Sequence, residues 1–320
     1  MFKPGIWTLD NLLRSRRAVA RKHFRPNCYI GLYEEALSLN GAGADFWQEV
    51  ILEPFAVNNA VFKRTAKARF NDFDCKTVEL MCEESAARAT FVIHDMAVSD
   101  ARTACGLFDR LAPKMRGALQ FYATDLCLKV FSVRRPGGRL ILIVDSGGHI
   151  LQIVFPPFVI PISIDEPWLL YPVNRIARAI LMRTAVKRLT SLMKDNPGAV
   201  QRREILLLCR EAREHLRLHR NFHVETYDML DPPRHRFDAV RAMNIFNRTY
   251  FPDAVLSAAI GNIFDSLNQG GLFVTGSNQN AGSAVNGSIY RKSAGRFVRL
   301  FQSALGSPVD DLVVAARPRN

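Results

Sequence analysis

Several motifs that define enzyme classes are absent from this sequence. It has no G-x-S-x-G nucleophile elbow, no phosphate-binding Walker loop, no H-E-x-x-H pair and no C-x-x-C pair. Hydrolase, nucleotide-triphosphatase and zinc-finger functions therefore have no support, and no metal site is expected. The six cysteines are scattered along a chain of 320 residues, which can bury a core without disulfides. We therefore expect reduced thiols.

The sequence also lacks a long uninterrupted apolar run. The most apolar stretch, Leu140 to Pro161, is broken by Asp145, by Gly147-Gly148 and by His149, and its residues alternate in the manner of strands. The N-terminus has no apolar segment of the kind found in signal peptides. These features predict a cytoplasmic protein, with peripheral attachment to a membrane as an open alternative.

Acidic residues are in deficit. The chain has 43 Lys and Arg against 30 Asp and Glu, which gives a net charge of +13. The excess is concentrated in residues 1–30 and 175–220. Such regions attract nucleic acid, acidic lipid headgroups or acidic proteins, although charged runs are also common on solvated faces. We therefore expect an anionic surface or RNA as a partner, without a choice between them.

Glycine is missing from the turn where a nucleotide-binding fold most needs it. The buried strand predicted at 90–94 leads into Asp95, and a helix opens after three small residues at alternate positions, Ala97, Ser99 and Ala101. A dinucleotide site requires G-x-G-x-x-G here, because its pyrophosphate lies against bare backbone. NAD and FAD are therefore disfavoured. S-adenosylmethionine has no phosphate and makes a weaker demand.

Strands and helices alternate along much of the chain. Further strands are predicted at 119–124, 222–227, 237–243 and 272–276, with helices at 101–111, 210–219 and 254–267. This alternation is typical of an α/β fold with a mainly parallel sheet and helices on both faces. Segments 128–133, 140–144 and 150–155 alternate between glycine turns and predict an inserted β-meander, which a basic amphipathic helix follows at 172–193.

These patterns divide the chain near residue 87. Residues 1–87 are predicted to form a helical region, because 7–22 and 45–52 show helical spacing of apolar residues. Residues 88–320 are predicted to form one Rossmann-like domain with an insertion at 128–200. Within this domain, 288–291 and 297–301 are predicted to pair as a terminal hairpin.

The order of these segments resembles the class I S-adenosylmethionine-dependent methyltransferases. The resemblance covers about residues 88–127 and 204–280, and it includes the strand Phe237-Asp238-Ala239-Val240 and the Gly270-Gly271 turn. The Asn and the Tyr-Phe pair after that strand are similar to chemotaxis-receptor methyltransferases in particular, with two extra residues and no Arg-Asn pair. The glycine-free first turn departs from the family pattern.

The resemblance implies a cofactor site at the carboxyl ends of the parallel strands. Asp95 would lie near the ammonium group of the ligand, over the turn formed by Ala97 and Ser99. Asp125, at the tip of the second strand, would accept both ribose hydroxyls. Asp228, after a third strand, would contact the adenine amino group.

The resemblance also implies the reaction, an in-line displacement of a methyl group from a sulfonium. Met243 would belong to the cofactor-binding set, and Asn244 would face the methyl donor or the acceptor. The leaving group is neutral, so a base is needed only for a nucleophile that carries a proton. His94 and Tyr250 are the candidate bases. Local hydrogen bonding of His94, packing of Tyr250 and capping by Asn244 are the alternatives.

Three functions stay open from the sequence. The first is methyl transfer to a small-molecule, lipid-linked or protein acceptor, with 128–193 forming or flanking the acceptor pocket. The second is methyl transfer to RNA, which the positive charge favours. The third is a degenerate Rossmann-like scaffold without catalysis, which the Ala/Ser/Ala turn favours.

Overall fold

The computed structural model describes residues 3, 5–15, 26–39, 42–57, 63, 69–162, 171–278 and 284–318. The second half of the helix predicted at 7–22 lies outside this part of the chain. Contacts group the chain into two units, residues 1–65 with 127–209 and residues 66–126 with 210–320. This grouping differs from the predicted boundaries, because the N-terminal segment shares a core with the insertion.

The elements are numbered in chain order. The strands are β1 (Gly5–Ile6), β2 (Asn27–Cys28), β3 (Thr90–Met96), β4 (Ala118–Asp125), β5 (Lys129–Arg134), β6 (Ile141–Val144), β7 (Ile150–Phe155), β8 (Phe158–Pro161), β9 (Gln201–Leu206), β10 (Phe222–Thr226), β11 (Phe237–Met243), β12 (Leu267–Ser277), β13 (Asn286–Ser293) and β14 (Arg296–Ser303). The α-helices are α1 (Leu9–Arg14), α2 (Leu32–Ala36), α3 (Ala42–Leu52), α4 (Asn71–Ser85), α5 (Arg102–Leu111), α6 (Pro172–Leu181), α7 (Lys187–Asp195), α8 (Arg210–Leu218), α9 (Asp253–Ser266) and α10 (Asp310–Ala315).

The first unit is built on an antiparallel sheet with the order β8-β7-β6-β5-β9. Along its strands, successive side chains point to opposite faces of the sheet, and both faces are covered. Leu142 and Val144 pack with residues of α6 and α7, whereas Ile143 packs with the N-terminal segment. The predicted meander is therefore present, with β8 as a fourth strand. Residues 201–206 pair with β5, so this strand belongs to the inserted sheet.

A π-helical turn, Met182–Val186, joins α6 to α7 and has a packing reason. Leu181 and Val186 are both buried in the same cluster against the sheet. Five residues would rotate them about 140° apart in a regular α-helix. The wider turn brings both to the sheet side, and Leu189 continues the buried side into α7.

The second unit contains a seven-stranded sheet with the order β10-β4-β3-β11-β12-β13-β14. The first five strands are mutually parallel, and β13 runs antiparallel to both of its neighbours. The predicted terminal hairpin is present as β13 and β14, with Ser293 opposite Arg296. The mainly parallel α/β sheet predicted for this part of the chain is confirmed.

Helices cover both faces of this sheet. On one face Phe108 of α5 contacts Phe121 and Phe222 of the neighbouring strands β4 and β10. On the other face, apolar residues of α9 pack with Val240 and Ala242 of β11. The two faces follow from the alternation of side chains along each strand. Among the described residues, no helix is both long and apolar enough to cross a membrane.

Candidate functional site

The strand order creates a switch point between β3 and β11. From β3 the chain proceeds to β4 and then β10 on one side, whereas β11 and β12 lie on the other. In open α/β sheets, ligands bind at the carboxyl ends of the strands beside such a point. That edge carries the turn after β3, Asp125 at the end of β4, Asp228 after β10 and Asn244 after β11.

The turn after β3 has the backbone of a glycine turn without glycine. Ala97, Ser99 and Ala101 have φ values of 57°, 60° and 65°, in the left-handed region that glycine favours. The turn is held by hydrogen bonds from the Val98 amide to the Thr124 carbonyl (3.1 Å) and from the Ala101 amide to the Val98 carbonyl (2.9 Å). The predicted small residues therefore share one conformation, and each carries a Cβ that glycine would lack.

Asp125 joins this turn to the segment that follows β10. Its Oδ2 accepts a hydrogen bond from the Ser99 amide at 2.7 Å, and its backbone carbonyl accepts one from Tyr227 at 3.2 Å. Asp228 comes next and accepts a hydrogen bond from the Leu230 amide at 2.9 Å, which closes its own turn. The structure thus brings the first turn, Asp125 and the Asp228 segment together at one edge.

Asp95 is bound to a different set of side chains. In the sheet register it is beside Arg241, and Nη1 of Arg241 donates to both of its carboxylate oxygens, at 3.0 and 2.9 Å. Nη2 of the same arginine donates to both oxygens of Asp74 on α4, at 2.9 and 3.1 Å. All three side chains are nearly inaccessible to solvent. This differs from the predicted contact with a ligand ammonium group, because Arg241 already occupies the carboxylate.

Burial and pairing act in opposite directions on the groups of this triad. Burial raises the pKa of Asp95 to about 6, and the Arg241 charge only partly offsets it. Burial alone would lower the pKa of Arg241, but the Asp74 and Asp95 carboxylates outweigh it and raise that pKa above its usual value. The guanidinium therefore stays charged, and near neutral pH Asp95 is ionised.

His94 faces the opposite side of β3 from Asp95. Its Nε2 lies 2.7 Å from Oγ1 of Thr124, and its ring packs on Phe237 with the centroids 4.6 Å apart. Burial, together with nearby His235, lowers the pKa of His94 to about 3. A neutral imidazole of such low basicity is a poor general base. The local hydrogen bond that sequence analysis kept as an alternative for His94 is present.

A half-open cleft lies beside His94 on this face. It is a small recess with a cavity volume of about 20 Å³, and its walls include Tyr122, Glu225, Tyr227 and His235. The Tyr122 ring stacks on His235, with the centroids 5.1 Å apart. The cleft therefore lies next to Thr124 and Tyr227, which border Asp125 and Asp228 in the chain.

The residues after β11 form a separate hydrogen-bonded group. Asn244 has a φ of 62°, its Nδ2 donates to Oδ1 of Asn278 at 2.8 Å, and its Oδ1 accepts from the Asn278 amide at 3.0 Å. Met243 is buried beside it. Tyr250 is half-buried in the turn that Asn247 opens, with its amide donating to the Asn247 carbonyl at 2.9 Å. The amide group of Asn244 is thus held by Asn278.

Sequence analysis missed Arg241 and its partner Asp74. The available signal was a charge in the middle of Phe237–Met243, a strand in which every residue is buried. A guanidinium at such a position requires a buried counter-charge. Within the described part of the chain, no group of three His, Cys, Asp or Glu side chains is arranged to hold a metal ion.

Comparison with known proteins gives solved structures but no sequence relatives. No family model matches the chain, and no curated protein sequence matches it. An amino pentose methyltransferase from Micromonospora echinaspora, solved with bound S-adenosylmethionine, is 10% identical with a TM-score of 0.32, over 77% of this chain and 82% of that one. The N-methyltransferase NodS from Bradyrhizobium japonicum, solved with S-adenosylhomocysteine, is 13% identical with a TM-score of 0.30, over 76% of this chain and 70% of that one.

A third similar structure is the trans-methyltransferase CalH, also in complex with S-adenosylhomocysteine. It is 12% identical with a TM-score of 0.31, over 64% of this chain, which spans only 36% of that protein. These similar structures are S-adenosylmethionine-dependent methyltransferases. In this chain, the Rossmann-like arrangement is seen directly in the order β10-β4-β3-β11-β12. The narrower likeness to chemotaxis-receptor methyltransferases stays a prediction.

Proposed function

We propose that the chain binds S-adenosylmethionine at the carboxyl edge of β3, β4 and β10 and transfers its methyl group to a small-molecule, lipid-linked or protein acceptor. The observation that carries the proposal is the turn after β3. Three residues at alternate positions adopt left-handed conformations there, and the carboxylate at the tip of the next strand holds the turn through the Ser99 amide. Strained backbone of this kind is commonly found at ligand sites.

The residues at this edge suit the nucleoside part of the cofactor. The turn presents backbone and side chains no larger than serine, so a ligand can lie close to it. Asp125 and Asp228 supply carboxylates at the tips of neighbouring strands, where they would hold the ribose hydroxyls and the adenine amino group. The ammonium group of the ligand would need a partner other than Asp95, because Arg241 binds that carboxylate.

When bound, the cofactor supplies a methyl group on a sulfonium whose departure leaves a neutral thioether. The residues of the chain therefore need to align the acceptor and exclude water rather than stabilise a leaving-group charge. Asn244, fixed by Asn278, is suited to orient a group at this edge. Because its low pKa makes His94 a poor base, an acceptor that needs no deprotonation before attack, such as a neutral amine or a carboxylate, is consistent with this site.

Calorimetric titration with S-adenosylmethionine tests the proposal. The wild-type chain is expected to bind with measurable heat. Asp125→Asn keeps an acceptor for the Ser99 amide but removes the charge, so it is expected to weaken binding roughly 10- to 100-fold, the range for a lost hydrogen bond to a charged group. Asp231→Asn is the matched control, since this exposed acid lies in the same loop as Asp228 and should leave affinity unchanged.

Two observations favour another of the functions that the sequence leaves open, a Rossmann-like scaffold without catalysis. The acid at the end of β3 is used in a buried ion pair, and the turn carries alanine and serine side chains where glycine would leave bare backbone. For such a scaffold the same titration gives no heat with the wild-type chain. Equal affinities of wild type and Asp125→Asn would place any bound cofactor somewhere other than this edge.

A further inference from the structure

We propose that the outer face of α6 and of the helical turns after it binds an anionic lipid surface. The proposal concerns the first unit, and it is independent of methyl transfer because adhesion to a vesicle requires no cofactor. It rests on three observations about residues 172–195. These are the side chains that the segment buries, the side chains that it exposes, and the sign of its charges.

The buried side of the segment is already satisfied by the antiparallel sheet. Leu181, Val186 and Leu189 pack in one cluster with residues of β5, β6, β7 and β8. Asn174, in the first turn of α6, is also buried, and its side chain exchanges hydrogen bonds with the backbone of Lys3. The fold therefore fixes which side of α6 faces outwards.

The outward side of α6 is aliphatic, although it is exposed. Val173, Ile176 and Ile180 are 45%, 52% and 57% exposed. Their spacing of three and four residues places them on one stripe of the helix. Met182, at the start of the π-helical turn, is exposed as well. Single exposed apolar residues are common, but an aligned group on one helix marks an interaction surface.

The charges around the stripe are almost all positive. Residues 172–195 contain six Lys and Arg side chains and one acid, Asp195 at the C-terminal end. Arg183, Lys187, Arg188 and Lys194 follow the aliphatic stripe and are all exposed. An exposed aliphatic stripe combined with a row of cations is the pattern of helices that lie in the interface of an anionic bilayer.

A lipid surface suits this face better than a protein or RNA does. The stripe stands on the outside of a single helix and contains aliphatic side chains only, whereas protein interfaces are enriched in aromatic residues and need a complementary surface. RNA would satisfy the cations but offers no apolar phase for Ile176 and Ile180. A bilayer accepts the side chains in its acyl boundary and the cations at its headgroups.

Vesicle co-sedimentation of the full chain tests the proposal. We expect binding to vesicles of phosphatidylcholine mixed with phosphatidylserine and little binding to phosphatidylcholine alone. Ile176→Glu and Ile180→Glu should each abolish most of the binding, because they place a carboxylate in the apolar boundary. Lys187→Gln should weaken it about fivefold, the contribution of one cation near an anionic surface.

Leu305→Glu is the matched control, since Leu305 is the most exposed of the large apolar residues described, at 85%, and lies outside the first unit. It should leave vesicle binding unchanged. Thermal unfolding of each variant checks that the exposed substitutions leave the fold intact.

Three results would overturn the proposal. The first is equal binding of the chain to neutral and anionic vesicles. The second is a loss of vesicle binding in Leu305→Glu as large as that in Ile176→Glu. The third is a dimer in size-exclusion chromatography that Ile176→Glu dissociates. The face would instead be assigned to nucleic acid if the chain bound poly(U) and not vesicles. In that case Lys187→Gln should weaken the retention on poly(U), and Ile176→Glu should not.

Discussion

Two arginines seven residues apart have the same kind of partners in opposite environments. Arg241, in β11, is held by Asp74 and Asp95, and its side chain is 1% exposed. Arg248, in the loop after β11, is held by Asp253 and Asp311, and its side chain is 41% exposed. Hydrogen-bond distances in the two groups are alike. The difference lies in solvent access, which decides what each group contributes to stability.

In the buried group, each charge depends on the others. Removing one partner leaves an uncompensated charge that water cannot reach, which costs several kcal/mol. In the exposed group, water replaces a lost partner, and ion pairs of this kind contribute little. The arrangement on β11 therefore fixes the position of β3 relative to α4, whereas the arrangement after β11 can exchange partners. The edge that we propose as the cofactor site is built against the fixed group.

The largest expected effect is on stability when the arginines are replaced one at a time. Arg241→Met should lower the free energy of unfolding by about 3–5 kcal/mol, because two carboxylates stay buried without a cation. Arg248→Met should lower it by no more than about 1 kcal/mol. Urea-induced unfolding followed by circular dichroism measures both. Similar losses in the two variants would show that burial does not separate the two groups.

The next effect is on the pH dependence of stability. Burial raises the pKa of Asp95 to about 6, whereas the hydrogen bond from Arg248, the main cause, lowers that of Asp311. Relative to an unfolded value near 3.9, the Asp95 contribution is fully present below about pH 4 and is lost as the pH rises through about 6. Between pH 5 and 7 this loss is about 1 kcal/mol, and Asp95→Asn should remove it.

Asp311→Asn is the control for this experiment. Its carboxyl has a lowered pKa, so its contribution is present above the unfolded value and is lost only as the pH falls below about 4. The dependence of the free energy of unfolding on pH between pH 5 and 7 should therefore be unchanged in this variant. An unaltered slope in Asp95→Asn would mean that Arg241 outweighs burial at Asp95.

This experiment is best made in a His94→Gln background. The pKa of His94 is lowered to about 3 in the fold, so its contribution is present above about pH 6.5 and is lost as the pH falls. Between pH 7 and 5 that amounts to about 2 kcal/mol, with a sign opposite to that of Asp95. Neighbouring side chains on β3 thus partly cancel each other, and removing His94 exposes the Asp95 slope.

The parallel sheet could be predicted from the sequence because its evidence is local. Mainly apolar segments, such as 90–94 and 237–243, predict buried strands, and helices between strands favour parallel pairing. The pairing of β9 with β5 was not predictable in the same way. It joins segments about 70 residues apart, and four of the six β9 residues are exposed, so no burial pattern distinguishes its partner.

The candidate site shows the same limit. The acids at strand tips were readable, because a polar residue that ends an apolar run lies at the sheet edge. The side on which a given acid points depends on register, and a shift of one residue reverses it. Asp95 points towards α4. Its partner Arg241 is 146 residues away in the chain, and Asp74 of α4 binds the same guanidinium group. Such long-range partners leave only an indirect signal, the charge within β11.

The smallest expected effect concerns the backbone beside the buried group. Ala97 has a φ of 57°, where an alanine Cβ is strained and glycine is not. Ala97→Gly should therefore raise the free energy of unfolding by about 0.5–1 kcal/mol, the strain relieved minus the added entropy of the unfolded chain. Ala179→Gly, at an exposed position within α6, should lower it by about the same amount.

Asn244→Gly separates strain from hydrogen bonding in this comparison. Asn244 has a similar φ of 62°, but asparagine tolerates it, and its side chain exchanges two hydrogen bonds with Asn278. The glycine variant should therefore lose stability where Ala97→Gly gains it. Ala97→Gly should also tighten binding of S-adenosylmethionine, because removing the Cβ lets the ligand lie closer to the turn. A loss of stability equal to that of Ala179→Gly would mean that the turn is not left-handed in solution, and the glycine-like backbone would no longer support a cofactor site there.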